Sequence, residues 1–451
     1  MAKFNREKAL RKIEFKRKWR NYSRYVYIAV PCVLCCLLCL YFAYSKFFVS
    51  EEQAVIRTTV GDFIYGDIVI SAYIDGEYSN TIPGKDDGYI VEKVSCDNDA
   101  IGKWNSDDWG IMVTDLSKRT KCNVYFKKKP DSKVPEIIAQ LDTSGKCPTV
   151  NDDGSVNVTG VEATNGYLCK AKDTYGDSYY YRGNVTNNYV KFAGFYWRIV
   201  RINGDGTVRV IYDGTSAHAN GDSSSDRQIG TSAFNSSYND NAYVGYMYGK
   251  TGASTYADAH ANTNNSTIKT YIDDWYKTNI VGTTNEQYLV DNIFCNDRSI
   301  SSNKPSNSYS NLGYGTKATA YRWFYFADGS YNNKMMLMCP QKNDAFTVSD
   351  TINGNGALTY PVGLLSIDEI VLAGAGNSSY YLYSGQDWWA SSPLSFYGGI
   401  TYVRFVNSNG KANLDLAYVN YYSGVRPVFN LKAEVLAHGS GTASDPYRIS
   451  L

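Results

Sequence analysis

The chain has almost no histidine. Its three, His218, His260 and His438, stand in polar stretches with no second ligand at metal-binding spacing, so each reads as a solvated loop residue. Outside one apolar run near the start there is no C-x-x-C or H-x-x-H pair, which argues against zinc. No G-x-S-x-G, no P-loop and no Rossmann glycine pattern in strand context occurs. Acidic residues are spread through turn motifs, and Asp-Gly turns account for them. Formal net charge is +1, so nothing in the overall balance points to nucleic acid. Long helical patterns are few. The expectation is a binding protein rather than an enzyme, with no metal and no cofactor.

Tyrosine is what the chain has in excess, 41 among 451 residues, with glycine and asparagine also plentiful. The length suggests two or three domains, and the composition a β-rich, loop-rich, extracellular-looking protein. Basic charge is concentrated at the start, in Lys3, Arg6, Lys8, Arg11, Lys12, Lys16, Arg17, Lys18, Arg20 and Arg24. An uncharged run from Tyr25 to Ser45 follows, about as long as a bilayer core demands of a helix. This predicts a basic cytoplasmic tail over 1–24 and a transmembrane helix over 25–48. The C-terminal bulk is then expected outside the plasma membrane of a bacterial cell, as a single-pass protein. A cleaved signal peptide is the rival reading, disfavoured by the length of the run and the lack of an A-x-A site. Cys32, Cys35, Cys36 and Cys39 within the run read as small apolar residues in lipid, and acylation of one of them stays open.

Residues 51–129 read as a small all-β, sandwich-like spacer. Strand candidates are Gln53–Val60, Asp67–Ile74, Tyr89–Ser95, Gly110–Thr114 and Cys122–Lys127, punctuated by Asp75-Gly76, Pro83-Gly84 and Asp87-Gly88. Trp104 and Trp109 read as core or loop-packing residues. Residues 130–159 are expected to be a linker with one amphipathic piece, Val134–Leu141. Six cysteines lie outside the apolar run, Cys96, Cys122, Cys147, Cys169, Cys295 and Cys339, an even number that suits an oxidising compartment. Six cysteines allow fifteen connectivities. The simplest joins sequence neighbours: 96–122, 147–169 and 295–339.

The main domain is expected over 160–451. Phe195–Ile202 alternates as a strand, Asn203-Gly204-Asp205-Gly206 turns, and Thr207–Tyr212 returns. Calcium at Asp205 is a weak alternative to a plain hairpin turn. Ser266–Tyr276 reads as a helix capped by Ser266, with Ile268, Tyr271, Ile272 and Trp275 on one face. Glu286–Phe294 reads as a second short helix, and Leu364–Gly374 as a third with Ser366 at its N-cap. The stretches 214–265 and 296–315 read as polar insert loops. A terminal turn and strand are expected over Gly439–Ile449.

One stretch near the end organises the rest, Gln386 to Leu431. It opens on Trp388-Trp389 and closes on Gly424-Val425-Arg426-Pro427-Val428. Val403, Val406 and Val419 sit in alternating runs that read as half-buried strand with the valines inward. The outward neighbours would be large and apolar for a solvent face: Leu394, Ile400, Tyr402, Phe405, Leu414, Leu416, Tyr421 and Tyr422.

The frame WWxSSPxxFxGxxxxVxxVxxxG…VxxxxGVRPV resembles the end of a C-type-lectin-like domain, in the branch related to formylglycine-generating enzymes. More narrowly, it is similar to the variable proteins of diversity-generating retroelements. The frame residues present are Trp388, Trp389, Ser392, Pro393, Phe396, Gly398, Val403, Val406, Gly410, Val419, Gly424, Val425, Arg426 and Pro427. In that family, error-prone copying at adenines replaces codons built from AAC or AAT. Such codons cannot become Glu, Gln, Met or Trp, and none of these four occurs from Leu394 to Ser423. Lys411 departs from that menu.

The resemblance implies an α+β fold: a C-type-lectin-like domain preceded by a transmembrane helix and a small all-β spacer. It implies a fixed scaffold with a diversified face at about 390–423, and a helix at 364–374 packed beneath that face. Contact residues would be Leu394, Ser395, Tyr397, Ile400, Tyr402, Arg404, Phe405, Asn413, Leu414, Asp415, Leu416, Tyr418, Asn420, Tyr421 and Tyr422. The partner would be a protein or glycan at the cell exterior. The related enzymes use a cysteine pair near the chain end, whereas the last cysteine here is Cys339. The E-P-N, Q-P-D and W-N-D motifs of calcium lectins are absent from the sequence. Two alternatives remain: a surface adhesin or wall-associated module of the same fold without diversification, and a secreted enzyme with unrecognised catalytic residues.

Overall fold

The structure, a computed structural model, describes residues 11, 14–18, 68–106, 108–115, 119–128, 131–161, 163–253, 255–299, 318–319, 334–376, 378–397, 399–409 and 417–449. Among these, no helix is long and apolar enough to cross a membrane. The expected span 25–48 and the strand candidate Gln53–Val60 lie outside the described residues. The chain divides into two compact units, Met1–Lys129 and Pro130–Leu451.

The smaller unit holds β1 (Ile68–Ile74), β2 (Glu77–Ser79), β3 (Tyr89–Cys96), β4 (Ile101–Asn105), β5 (Gly110–Thr114) and β6 (Thr120–Lys128). Four of these form a sheet in the order β2-β1-β6-β3, with β1 and β6 parallel, and β4 pairs with β5 as a hairpin. Val124 and Phe126 on β6 are buried against Ala72, Ile111 and Val113. Trp104 and Trp109 meet edge to face at 5.2 Å, and Trp104 meets the Phe126 ring at 5.5 Å, which makes them packing residues. Cys96 and Cys122 stand directly opposite in the β3–β6 ladder and are disulfide-bonded, with Cα atoms 4.0 Å apart.

The longer helices of the larger unit are α1 (Val134–Ile138), α2 (Thr267–Asn279) and α3 (Ile367–Leu372), beside a single turn at Tyr256–Ala259. Its main strands are β7 (Tyr167–Asp173), β8 (Gly176–Arg182), β9 (Tyr189–Phe192), β10 (Phe195–Ile202), β11 (Val208–Gly214), β12 (Thr231–Ala233), β13 (Ala318–Thr319), β14 (Trp388–Tyr397), β15 (Ile400–Val406), β16 (Ala417–Tyr418), β17 (Tyr422–Gly424) and β18 (Val428–Leu431). One antiparallel sheet has the order β18-β11-β10-β8-β7, with β9 also on β10. The other has the order β12-β17-β14-β15-β16, with β13 also on β14. The architecture is mostly β-sheet with few helices. Its remaining disulfides join Cys147 to Cys169 and Cys295 to Cys339, the sequence-neighbour pairing throughout.

An aromatic core fixes the first sheet. Trp197 stacks on Phe429 at 4.6 Å, and Tyr212 and Trp275 meet it at its edges. Ser266 caps α2 by accepting from the Lys269 amide, and Ile268 and Ile272 are fully buried. Ser366 and Glu369 form a reciprocal capping box on α3, which satisfies two of the otherwise orphaned first-turn amides. Glu369 also accepts from Arg209 at 2.6 Å and Arg201 at 3.2 Å. Burial pushes its carboxyl up, but the two guanidiniums and the Ser366 amide together outweigh that and hold it below the ordinary value.

Several sequence expectations are corrected. Residues 130–159 are not a linker. Val134 and Ile137 are buried in the larger core, and Ser132 Oγ donates to the Ala433 carbonyl at 2.6 Å. The apolar face of α1 is what draws this stretch in. Glu286–Phe294 is not a helix beyond one 3-10 turn, Glu286–Tyr288. Its backbone instead finds partners on neighbouring strands, with the Val290 amide donating to the Asn430 carbonyl and Phe294 paired to Phe346. The 214–265 stretch is no mere surface insert, because Arg227, Phe234, Val244 and Tyr246 are buried. Asp205 accepts from Thr207 and Asn292 and so closes a hairpin turn. His260 is not solvated. It is 1 % exposed, its ring lies 3.9 Å from that of Tyr256, and neither ring nitrogen has a hydrogen-bond partner among the described residues.

Burial, and secondarily the Arg298 charge, lower the His260 pKa to about 2. The folded state keeps this ring neutral while the unfolded chain takes up a proton below about pH 6.5. Stability from this group is therefore complete above pH 6.5 and falls as the pH drops, by roughly 1.4 kcal/mol per unit. His260→Phe should flatten the dependence between pH 6.5 and 4.5 in denaturant titrations. An unchanged slope would refute the neutral buried state. A second expectation concerns Asp213, whose carboxylate sits among the buried side chains of Arg198, Arg227 and Arg426. Asp213→Asn should cost about 3–5 kcal/mol of unfolding free energy, since it strands buried cations.

Candidate binding surface

The frame residues form a buried platform. Trp388, Trp389, Val403, Val406, Val419, Val425 and Arg426 are each at most 1 % exposed, and Ser392 and Phe396 are buried with them. Pro393 is buried as well. Trp389 donates its indole N–H to the Ser232 carbonyl at 2.8 Å and meets the Phe234 ring at 5.8 Å. Arg426 lies 5.0 Å over the Trp388 ring. Gly424 is required by close approach, because a Cβ there would fall 2.8 Å from the Asp387 carbonyl oxygen and closer still to Gln228. Gly398 and Gly410 lie outside the described residues.

The sequence-derived contact set splits on this platform. Leu394, Ser395, Tyr402 and Arg404 are buried, contrary to the expectation that they point outward. The reason is position in the sheet. β14 is an interior strand, with β15 on one side and β13 and β17 on the other. Ser395 is opposed by Tyr402 on β15 and by Thr319 on β13. Tyr402 is in turn opposed by Tyr418 on β16, with ring centroids 5.1 Å apart. Large side chains paired across strands cover one another, so the alternation does not leave a solvent face at the middle of β15. Ile400, Phe405 and Tyr418 are half-buried. Tyr397 ends β14, and Asn413, Leu414, Asp415 and Leu416 lie outside the described residues.

What remains outward is a tip. Tyr421 donates its amide to the Tyr418 carbonyl at 2.9 Å and closes a turn. Val419 inside that turn is fully buried. Its amide donates to the Thr401 carbonyl and its carbonyl accepts from the Asn235 amide, so the turn is plugged into the platform. Asn420, Tyr421 and Tyr422 project from it, and the two tyrosines are 57 % and 75 % exposed. Tyr418 and Tyr421 stack at 5.2 Å, which extends the Tyr402–Tyr418 pair into a three-ring ladder.

Sequence reasoning missed one neighbour. Thr401 donates its amide and hydroxyl to the Tyr238 carbonyl, both at 2.8 Å, which sets Tyr238 beside the start of β15. Its side chain is 43 % exposed. The tyrosines of the 214–265 stretch were visible, but the pairing that brings one of them here spans more than 160 residues.

Chemically, this tip is equipped for contact. Tyrosines join broad apolar rings to a hydroxyl that hydrogen-bonds, and an asparagine adds a second donor and acceptor. Among the described residues no group of three or more His, Cys, Asp or Glu is placed to hold a metal ion. No protein-family model, curated protein or solved structure matches this chain.

The platform and the tip should respond differently to substitution. Val419→Ala should lower stability by about 1–3 kcal/mol, whereas Tyr421→Ala with Tyr422→Ala should stay within about 0.5 kcal/mol per site. Equal losses in chemical denaturation would show the tip to be core.

Proposed function

We propose that the chain is a receptor displayed outside a bacterial cell that binds a protein or glycan through the tip at Tyr418–Tyr422. A C-type-lectin-like scaffold would carry this tip, and the stretch at about 390–423 would be diversified by a retroelement. The observation that carries the reading is the division of labour within one short segment: Val419 is a fully buried plug, and the tyrosines after it are exposed. Such a segment can change its outer side chains while its anchor holds the backbone. The basic start, the apolar run 25–45 and the cysteines paired outside it support an exported, membrane-anchored protein.

A second reading is favoured by the burial of Leu394, Ser395, Tyr402 and Arg404. Positions packed to that degree tolerate few residue types, which suits an invariant adhesin of the same architecture. Sequencing the end of the gene in related isolates, with its genomic neighbourhood, separates the two. Diversification requires changes confined to codons between Trp389 and Gly424, an adenine-rich near-copy of the stretch nearby and a reverse transcriptase gene. An invariant stretch without a template leaves the adhesin. Binding itself is tested with Tyr421→Ala/Tyr422→Ala: ligand capture on protein and glycan arrays should fall at least tenfold while unfolding is unchanged.

A further inference from the structure

We propose that the larger unit has a second ligand site, a polar cleft that takes a neutral polyhydroxylated ligand of mono- or disaccharide size. The cleft has a volume of about 400 Å3, within the roughly 300–1,000 Å3 of small-molecule pockets. It lies between the residues after α1, the start of β7, the end of β8 and the loop 184–187. Leu168, Tyr181 and Val185 form its buried floor, while Gln140, Asn184 and Thr186 stand exposed at its rim.

The lining decides the class of ligand by elimination. No Lys, Arg or His lines the cleft, so nothing there would neutralise a phosphate or carboxylate. Its one carboxylate, Asp142, is already engaged by the Ser144 amide and hydroxyl at 3.2 and 2.6 Å and by the Lys146 amide at 2.9 Å. One carboxylate alone is far short of the roughly six or more oxygen ligands a hard cation takes. Leu168 and Val185 are the only aliphatic side chains, too few for an apolar ligand.

What remains is a set of neutral donors and acceptors. Asn184 Oδ1 accepts from Asn220, which leaves its amide nitrogen as a donor toward a ligand. Asn187 donates to Gln140 Oε1 at 2.9 Å, which leaves its own carbonyl oxygen as an acceptor. Thr186 adds a hydroxyl that does both. At the floor, the Tyr181 hydroxyl is buried without a hydrogen-bond partner among the described residues. Tyr167 stands half-buried in the wall. Neutral side-chain donors and acceptors gathered in one cleft match a sugar, whose hydroxyls each donate and accept.

The walls are held in place before binding. Asp142 donates its amide to the Leu168 carbonyl at 2.9 Å, and the Cys147–Cys169 disulfide joins the two segments just beyond. Preorganisation of this kind lowers the ordering cost of binding. The cleft shares no residue with the Tyr418–Tyr422 tip, so it stands or falls independently of the receptor reading.

The test uses the full chain in a non-glycosidic detergent. Saturation-transfer NMR and calorimetry would be run with a panel of neutral monosaccharides and disaccharides, with inorganic phosphate and choline as counter-probes. At least one sugar should bind. Thr186→Trp, which fills the cleft from its exposed rim, should weaken that sugar at least tenfold, and Asn184→Ala should weaken it also. The proposal is overturned if no sugar of the panel binds, if phosphate or choline binds in place of sugars, or if both cleft variants keep affinity within twofold.

Discussion

One carboxylate holds the larger unit together. Asp213 Oδ1 accepts from Arg227 and Arg426, each at 2.8 Å, and Oδ2 lies 3.9 Å from Arg198. All four side chains are completely buried. Three cations around one anion would be untenable in a dry interior without further negative charge. Backbone carbonyl dipoles supply it: Arg426 donates to Leu382 and Tyr212, Arg227 to Tyr381 and Asp222, and Arg198 to Val185. Burial lowers the Arg426 pKa to about 10 while Asp213 holds it up, so this guanidinium stays charged at neutral pH. The cluster joins four pieces of chain that are remote in sequence: the β11 strand, the 214–265 stretch, the 381–383 loop and the closing frame.

That junction explains how a small exposed tip can be held firmly. Arg426 reaches from Asp213 to the face of Trp388, and Trp388 pairs with Gly424 in the only parallel contact of the second sheet's described strands. Gly424 ends the short strand that begins at Tyr422. A chain of buried contacts therefore runs from the ion cluster to Gly424, two residues after the exposed Tyr422. Rigid aromatic side chains on a fixed backbone lose little conformational freedom on binding, which suits them to recognition.

Much of this was legible in the sequence where the determinant was local. The hairpin of β10 and β11 followed from alternation on either side of Asn-Gly-Asp-Gly. The ends of α2 and α3 followed from Ser266 and from Ser366 with Glu369. The disulfides followed the shortest loops, which cost least entropy to close. Other features were hidden because they depend on what lies across a sheet. The outward reading of Tyr402 and Arg404 treated β15 as half-covered. His260 looked solvated because its neighbours in sequence are polar, although its neighbours in space are Tyr256 and Arg298.

By itself the sequence determined the β-rich class, the capped helices and the Trp388–Pro427 frame, since each rests on spacing, turn chemistry or local hydrogen bonding. Only the tertiary structure decided which residues of that frame's interior meet solvent, that Tyr238 joins them, and that Asp213 gathers three arginines. Those outcomes depend on long-range pairing, and a periodic pattern states which residues share a face without stating whether that face is covered.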